Sequence, residues 1–157
     1  MNKILITGGS GFLGSNFIKQ IPNKNKIYIY DTSKPRFKSN YIIGSILDSN
    51  KLKKVIKKYN IDTVVHLAAS LGVSNTEKNP DKVLEVNFAG TQKILESLKN
   101  SNIKKFIFAS SSEVYGDSQK KMSEQDILKP KSIYGHTKIL GENLVKTYAK
   151  YIGFDYL

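Results

Sequence analysis

Thr7-Gly8-Gly9-Ser10-Gly11-Phe12-Leu13-Gly14 decides the reading of this chain. The stretch follows an apolar run, Ile4-Leu5-Ile6, and opens an amphipathic segment that continues to Gln20. Gly9, Gly11 and Gly14 satisfy a G-x-G-x-x-G spacing, and Gly8, Gly11 and Gly14 a G-x-x-G-x-x-G variant. Glycines at these places allow a tight strand-to-helix turn and bring backbone close to a pyrophosphate. The free N–H groups and positive end of the following helix then hold the anion. Gly8, Gly11, Phe12, Leu13 and Gly14 are the candidate contacts. Asp31 stands 20 residues after Gly11, at the end of the next β-rich run. A carboxylate there accepts hydrogen bonds from ribose hydroxyls and repels a 2′-phosphate, which favours NAD over NADP. Lys34 and Arg36 lie near it in sequence and work against that preference.

Around this turn, short apolar runs alternate with amphipathic ones. Lys3–Thr7, Lys26–Tyr30, Tyr41–Ile43, Thr63–Leu67 and Lys105–Ala109 read as strands, and Phe154–Leu157 starts like a sixth. Gly11–Gln20, Asp48–Lys58, Pro80–Leu98 and Ser132–Tyr151 read as helices, with Asp48 or Ser49 and Asn79 as caps and Pro80 in a first turn. Buried strands joined by helical crossovers imply an α/β fold, a doubly wound parallel sheet of Rossmann type with strand order 3-2-1-4-5-6. The chain is expected to be one domain over 1–157, with Gly116–Lys131 as a surface loop. A chain that stops at the start of a core strand looks truncated.

Composition narrows the class. The 157 residues carry 25 Lys+Arg against 13 Asp+Glu, a formal charge of +12, and no Cys. Only Arg36 among the basic residues is Arg. A nucleic-acid surface uses Arg for bidentate phosphate and guanine contacts, so scattered Lys predicts solvated faces and no nucleic-acid partner. Zero Cys excludes a disulfide scaffold and Cys-ligated metals, and suits a reducing cytoplasm. The uncharged stretch Thr63 to Thr76 contains His66, Ser70, Ser74 and Asn75, and no membrane span is expected.

Tyr134 and Lys138 are four apart at the start of a helix and share one face. An ammonium near a phenol favours the phenolate and lowers its pKa. Such a Tyr can take a proton from a hydroxyl while hydride leaves the same carbon. Ser110-Ser111-Ser112-Glu113-Val114-Tyr115-Gly116 follows the fifth strand, at the carboxyl edge where ligands bind in such sheets.

Taken together, Thr7–Gly14, His66-Leu67-Ala68-Ala69, Asn87 with Gly90-Thr91, Ser110–Gly116 and Ser132–Lys138 resemble the extended short-chain dehydrogenase/reductase family, in its nucleotide-sugar epimerase/dehydratase branch. The resemblance implies that Tyr134 is the general base and Ser111 the hydroxyl of the catalytic trio. It implies that Lys138 bonds the nicotinamide ribose. Leu67, Ala68 and Ala69 would line the nicotinamide side, and Ser45 with Ile46 the adenine side. Asn87 would tie neighbouring strands near the site and border the cofactor. Ser112 and Glu113 stand where dehydratases carry Asp-Glu, and the Ser disfavours water elimination. Decarboxylases carry Ser-Glu there, but their loop differs from Ser70–Asn79. C4 epimerisation of a nucleotide-activated sugar through a 4-keto intermediate is the expected activity; the alternatives are a decarboxylase, a dehydratase, or a truncated NAD-binding module without catalysis. His66 is expected inside a strand, and no metal is expected. The branch also implies a C-terminal sugar-nucleotide domain absent from 1–157, and a homodimer built on helices Pro80–Leu98 and Ser132–Tyr151, with Ile139, Leu140, Leu144, Val145 and Tyr148 as apolar surface.

Overall fold

A computed structural model describes residues 3–22, 24–71, 78–117 and 120–157. Six parallel strands form one sheet: β1 (Ile4–Thr7), β2 (Ile27–Asp31), β3 (Asn40–Ile43), β4 (Thr63–His66), β5 (Lys105–Phe108) and β6 (Asp155–Tyr156). Their order is β3-β2-β1-β4-β5-β6, the doubly wound arrangement anticipated from the alternation.

The inner strands β1, β2 and β4 are largely buried on both faces while the edge strands β3 and β6 are largely exposed, and side chains alternate between the faces as a pleat requires. Leu5, Tyr30, Val64 and Phe106 point into one core, closed by Leu52 and Val55 of α2 (Ser49–Tyr59), by Ile94 and Leu95, and by Val145 and Ala149. Ile6, Ile27, Ile29 and Val65 point into the other, where Ile18 of α1 (Phe12–Gln20) meets them. Each fully buried Leu or Ile contributes about 1.5–3 kcal/mol relative to exposure.

Helix starts follow the local chemistry. Asp48 caps α2 by accepting the Lys51 N–H at 2.9 Å. Asn79 accepts the Lys82 N–H at 3.2 Å and Pro80 follows it, opening α3 (Pro80–Val83). The helix expected over 80–98 is interrupted. A π-helical stretch, Leu84–Ala89, separates α3 from α4 (Gly90–Ser97). The wider turn, in which Gly90 N–H reaches Glu85 O, re-aims the side chains it carries. Asn87 is one of them. The last helix, α5 (Ile133–Ile152), is capped by Ser132 and ends at Gly153 with φ +90°. Of the apolar residues named on it, Val145 is buried against the sheet and Leu140 is exposed.

A short 3-10 turn at Ser112–Tyr115 leads into the loop 116–131. Residues 72–77 of the loop Ser70–Asn79 and Ser118-Gln119 of the later loop lie outside the described residues. Among the described residues no helix is long and apolar enough to cross a membrane. No group of three His, Cys, Asp or Glu side chains there could hold a metal.

Candidate active site

The glycine turn is held from two sides. Gly8 adopts φ +72°, and a Cβ there would lie 2.6 Å from Ala68 N. Only a glycine lets the turn lean on the segment after β4. At Gly14 a Cβ would lie 2.5 Å from Gly8 O, so the helix could not start so close to the strand. Gly11 occupies the N-cap of α1 and offers no side-chain bond, and no acidic residue sits in the first turn. The amides of that turn and the positive helix end therefore remain for an anion. Phe12 and Leu13 are exposed beside them.

A cleft of about 690 Å³ runs from this turn along the carboxyl edge of the sheet. Gly8, Gly11, Phe12, Leu13 and Gly14 form one wall, and Asp31 closes it at the end of β2. Ser45 and Ile46 line one end, and Leu67, Ala68 and Ala69 continue it past β4. All eleven were selected from the sequence. Lys34 and Arg36 do not line it; Lys34 sits over the Tyr41 ring, 5.6 Å from its centroid.

Asp31 does two jobs. Its carboxylate accepts Ser10 N–H and Ser33 N–H, both at 3.0 Å, and so braces the glycine turn against the end of β2. A carboxylate has about four acceptor positions, so capacity is left for ribose hydroxyls. Ser45 Oγ accepts Leu47 N–H at 3.2 Å and keeps its own proton for a further bond. Sequence reasoning missed Ser10, Tyr30 and Gly44, which also line the cleft. The Tyr30 hydroxyl donates to Ser45 O at 3.1 Å, and a Cβ on Gly44 would lie 2.4 Å from that hydroxyl. Burial, with Asp48 adding to it, pushes the Tyr30 phenol up to about 12, so it stays a donor.

The second constellation lies one strand further on. Ala109 N–H donates to His66 O at 3.1 Å, which sets the chain leaving β5 beside the chain leaving β4. Ser111 is in extended conformation and its Oγ accepts Glu113 N–H at 3.2 Å. Tyr134, in the first turn of α5, hydrogen-bonds the Ser111 side chain. Lys138 is one turn on and buried. Its Nζ donates to Ala109 O at 2.8 Å and lies 5.4 Å from the Tyr134 ring centroid and 4.9 Å from that of Phe108. Ser111, Tyr134 and Lys138 therefore meet as expected, with Ser112 and Glu113 exposed at their border. None of the five lines the cleft itself.

One expectation needs correction. Lys138 was expected to pull the Tyr134 phenol down. Instead burial pushes it up, the Glu113 carboxylate adds to that, and only the Ser111 hydrogen bond opposes. The ammonium is committed to a backbone carbonyl, and burial lowers it to about 8 against the pull of Glu142. Asn87, expected to tie neighbouring segments near the site, lies outside the cleft lining, as do Tyr134 and Lys138. Its Oδ1 accepts Ser70 N–H at 2.7 Å, and its Nδ2 donates to Ser70 O and Thr137 Oγ1, both at 3.2 Å. It thus clamps the cleft-lining loop after β4 to α5. Thr137, which sequence reasoning also missed, passes the link on by donating to Tyr134 O at 2.7 Å.

The donor set suits a dinucleotide: uncapped helix amides for the pyrophosphate, a carboxylate for a ribose, and apolar backbone beyond β4 for a redox ring. Comparison with known proteins agrees with this reading. The family model described as "NAD dependent epimerase/dehydratase family" matches residues 4–157. The chain is 36% identical to a dTDP-D-glucose 4,6-dehydratase of Dictyostelium discoideum, over 96% of this chain and 41% of that protein. It is 37% identical to a UDP-N-acetyl-alpha-D-glucosaminuronate decarboxylase of Bacillus cytotoxicus, over 79% of this chain and 41% of that one. Among solved structures, the UDP-glucose 4-epimerase from Brucella ovis in complex with NAD superposes with a TM-score of 0.91 at 31% identity, covering 99% of this chain and 50% of that one. The chain spans about half the length of such relatives or less, and it belongs to the NAD-dependent epimerase/dehydratase family.

Proposed function

We propose that the chain holds NAD in the cleft, and that the protein oxidises and re-reduces C4 of a nucleotide-activated sugar, inverting that carbon. The observation that carries this is the meeting of Ser111, Tyr134 and Lys138 next to the segment Leu67–Ala69. NAD supplies a hydride acceptor that becomes the donor for the return step. The Tyr134 oxygen takes the proton of the sugar hydroxyl as the carbon is oxidised, and returns it on reduction. Ser111 holds the same oxygen by hydrogen bonding and lowers the cost of the phenolate. Lys138, one turn from Tyr134, is anchored on Ala109 O, which fixes its side chain within the trio. Burial and the Glu113 carboxylate raise the phenol's pKa, so within the chain it is the Ser111 hydrogen bond that favours the phenolate, and bound NAD⁺ would add positive charge.

Epimerisation is preferred over water elimination because Ser112 lacks a carboxyl to act as acid. A decarboxylase is the second reading. Its support is the pair Ser112-Glu113 and the 37% identity to the glucosaminuronate enzyme. The proposal extends to a nucleotide-sugar substrate and a homodimer, the latter supported by exposed Leu84 and Leu140 on the helices 80–97 and 133–152.

The test is turnover of UDP- and dTDP-linked hexoses and hexuronates by the full-length protein and by Tyr134→Phe. The expected product is the C4 epimer, with the variant slower by about 10²–10⁴-fold. Carbon dioxide release from a hexuronate supports the second reading, and unchanged turnover in the variant removes Tyr134 as the base.

A further inference from the structure

His66 has no task in the chemistry above, yet it is a buried titratable group beside the site. It lies at the end of β4 in register with Thr7, the last residue before the glycine turn. Its ring is 2% exposed and packs among Phe106 and Phe108, with centroids 6.1 and 5.6 Å away. An aliphatic side chain would fill such a place without any polar atom to satisfy. Burying an imidazole is tolerated only when both nitrogens are bonded. Both are: Nδ1 lies 2.7 Å from Thr7 Oγ1, and Nε2 2.9 Å from Thr91 Oγ1 on α4.

The direction of each bond follows from counting protons. Thr91 Oγ1 donates its one proton to Asn87 O at 2.6 Å. It must therefore accept from the imidazole, so Nε2 carries the hydrogen. In a neutral ring Nδ1 is then an acceptor, and the Thr7 hydroxyl donates to it. Burial, with the Lys138 charge assisting, holds the ring pKa down to about 3, in keeping with a neutral ring. The result is a directed run of three bonds: Thr7 to His66, His66 to Thr91, Thr91 to the backbone of Asn87. From Asn87 the side chain continues to Ser70 and to Thr137, and Thr137 to Tyr134 O. Bonds aligned in this way strengthen one another in a low-dielectric interior.

We propose that His66 is a positioning residue: held between Thr7 and Thr91, it registers the phosphate-binding turn against the Asn87 clamp, and so against the helix that carries Tyr134. This role rests on the proposed function for its meaning, because it sets where a dinucleotide bound at one end of the relay lies relative to the phenol at the other. The relay itself is a property of the chain alone and is measured without cofactor.

The test uses backbone amide exchange of Ser70, whose N–H is held by the Asn87 side chain, in the wild-type chain, His66→Phe, Thr91→Val and Thr91→Ser. Amides of Leu5 and Val64 report global opening in the same samples. Thr91→Val and His66→Phe are expected to speed Ser70 exchange by about tenfold beyond the change at the core amides, as for loss of a local hold. Thr91→Ser keeps the hydroxyl and is expected to stay within about twofold of wild type. The double variant is expected to be no faster than either single one, since both remove the same link. Nitrogen-15 spectra of the imidazole are expected to show hydrogen on Nε2 and not on Nδ1. Ser70 exchange that merely follows the core amides, a Thr91→Ser variant as fast as Thr91→Val, or the opposite tautomer overturns the assignment. Where His66→Phe fails to fold, the two Thr91 variants decide alone. A wild-type chain that shows this pattern but binds no NAD⁺ keeps the relay and removes the proposed function.

Discussion

The Glu113 carboxylate accepts a hydrogen bond from the Ser132 hydroxyl, whose oxygen in turn accepts the Gly135 N–H at 3.0 Å. The residue that resembles the second acid of a dehydratase is thereby held on the N-cap of the helix bearing Tyr134. Gly135 makes the approach possible, since a Cβ there would lie 2.8 Å from Glu113 O.

Glu113→Gln removes a negative charge that raises the Tyr134 phenol. The phenol is expected to titrate at lower pH in the variant, measured by ultraviolet difference spectroscopy against Tyr134→Phe. A shift upward, or none, contradicts the stated electrostatic cause.

Ser132→Ala removes the cap of α5. A loss of about 1 kcal/mol is expected, or a midpoint lowered by roughly 2–4 °C. Ser132→Asp, which also caps, is expected to recover much of it in thermal melts, less the repulsion from Glu113.

The buried neutral His66 makes stability depend on acid. Its folded pKa of about 3 is depressed below the ordinary 6.5, so the unfolded chain binds the proton first. The contribution is whole above pH 6.5 and falls by about 1.4 kcal/mol per pH unit as pH drops toward 3. In urea melts, wild type is expected to lose stability over this window faster than His66→Gln. Parallel slopes contradict a neutral buried ring.

Much of this architecture was legible in the residues. The alternation Leu5–Ile6 and Tyr28–Ile29–Tyr30 sends neighbours to opposite cores, and the caps Asp48, Asn79 and Ser132 are local chemistry that any sequence states openly. The cleft walls followed from the glycine spacing and from Asp31. What escaped depends on approach between distant segments. No periodicity marks the π-helical turn at Leu84–Ala89, because its i→i+5 bonds answer to what Asn87 must reach. Tyr30 and Gly44 form a pair only once β2 and the loop after β3 are side by side. The pull expected of Lys138 on Tyr134 came from spacing alone, and spacing says nothing of the carbonyl at Ala109 that holds the ammonium.

Asp31→Asn keeps the size of the side chain and removes its charge. The bonds from Ser10 and Ser33 weaken, and charge-assisted bonds to a ribose are lost, each about 1.5–3 kcal/mol. NAD⁺ affinity is expected to fall at least about tenfold and the preference over NADP⁺ to shrink, read from two calorimetric titrations. Equal loss for both cofactors contradicts the placing of this carboxylate at the ribose.

A dinucleotide pyrophosphate resting on the turn Gly8–Gly14 at the head of α1 underlies every step above, and calorimetric titration of NAD⁺ into the wild-type chain and Gly8→Ala probes that contact. Saturable 1:1 binding by wild type is predicted, with a loss of at least about a hundredfold in Gly8→Ala, whose Cβ would meet Ala68 N, while circular dichroism shows the variant folded. No binding by wild type, or undiminished binding by a folded Gly8→Ala, would contradict it.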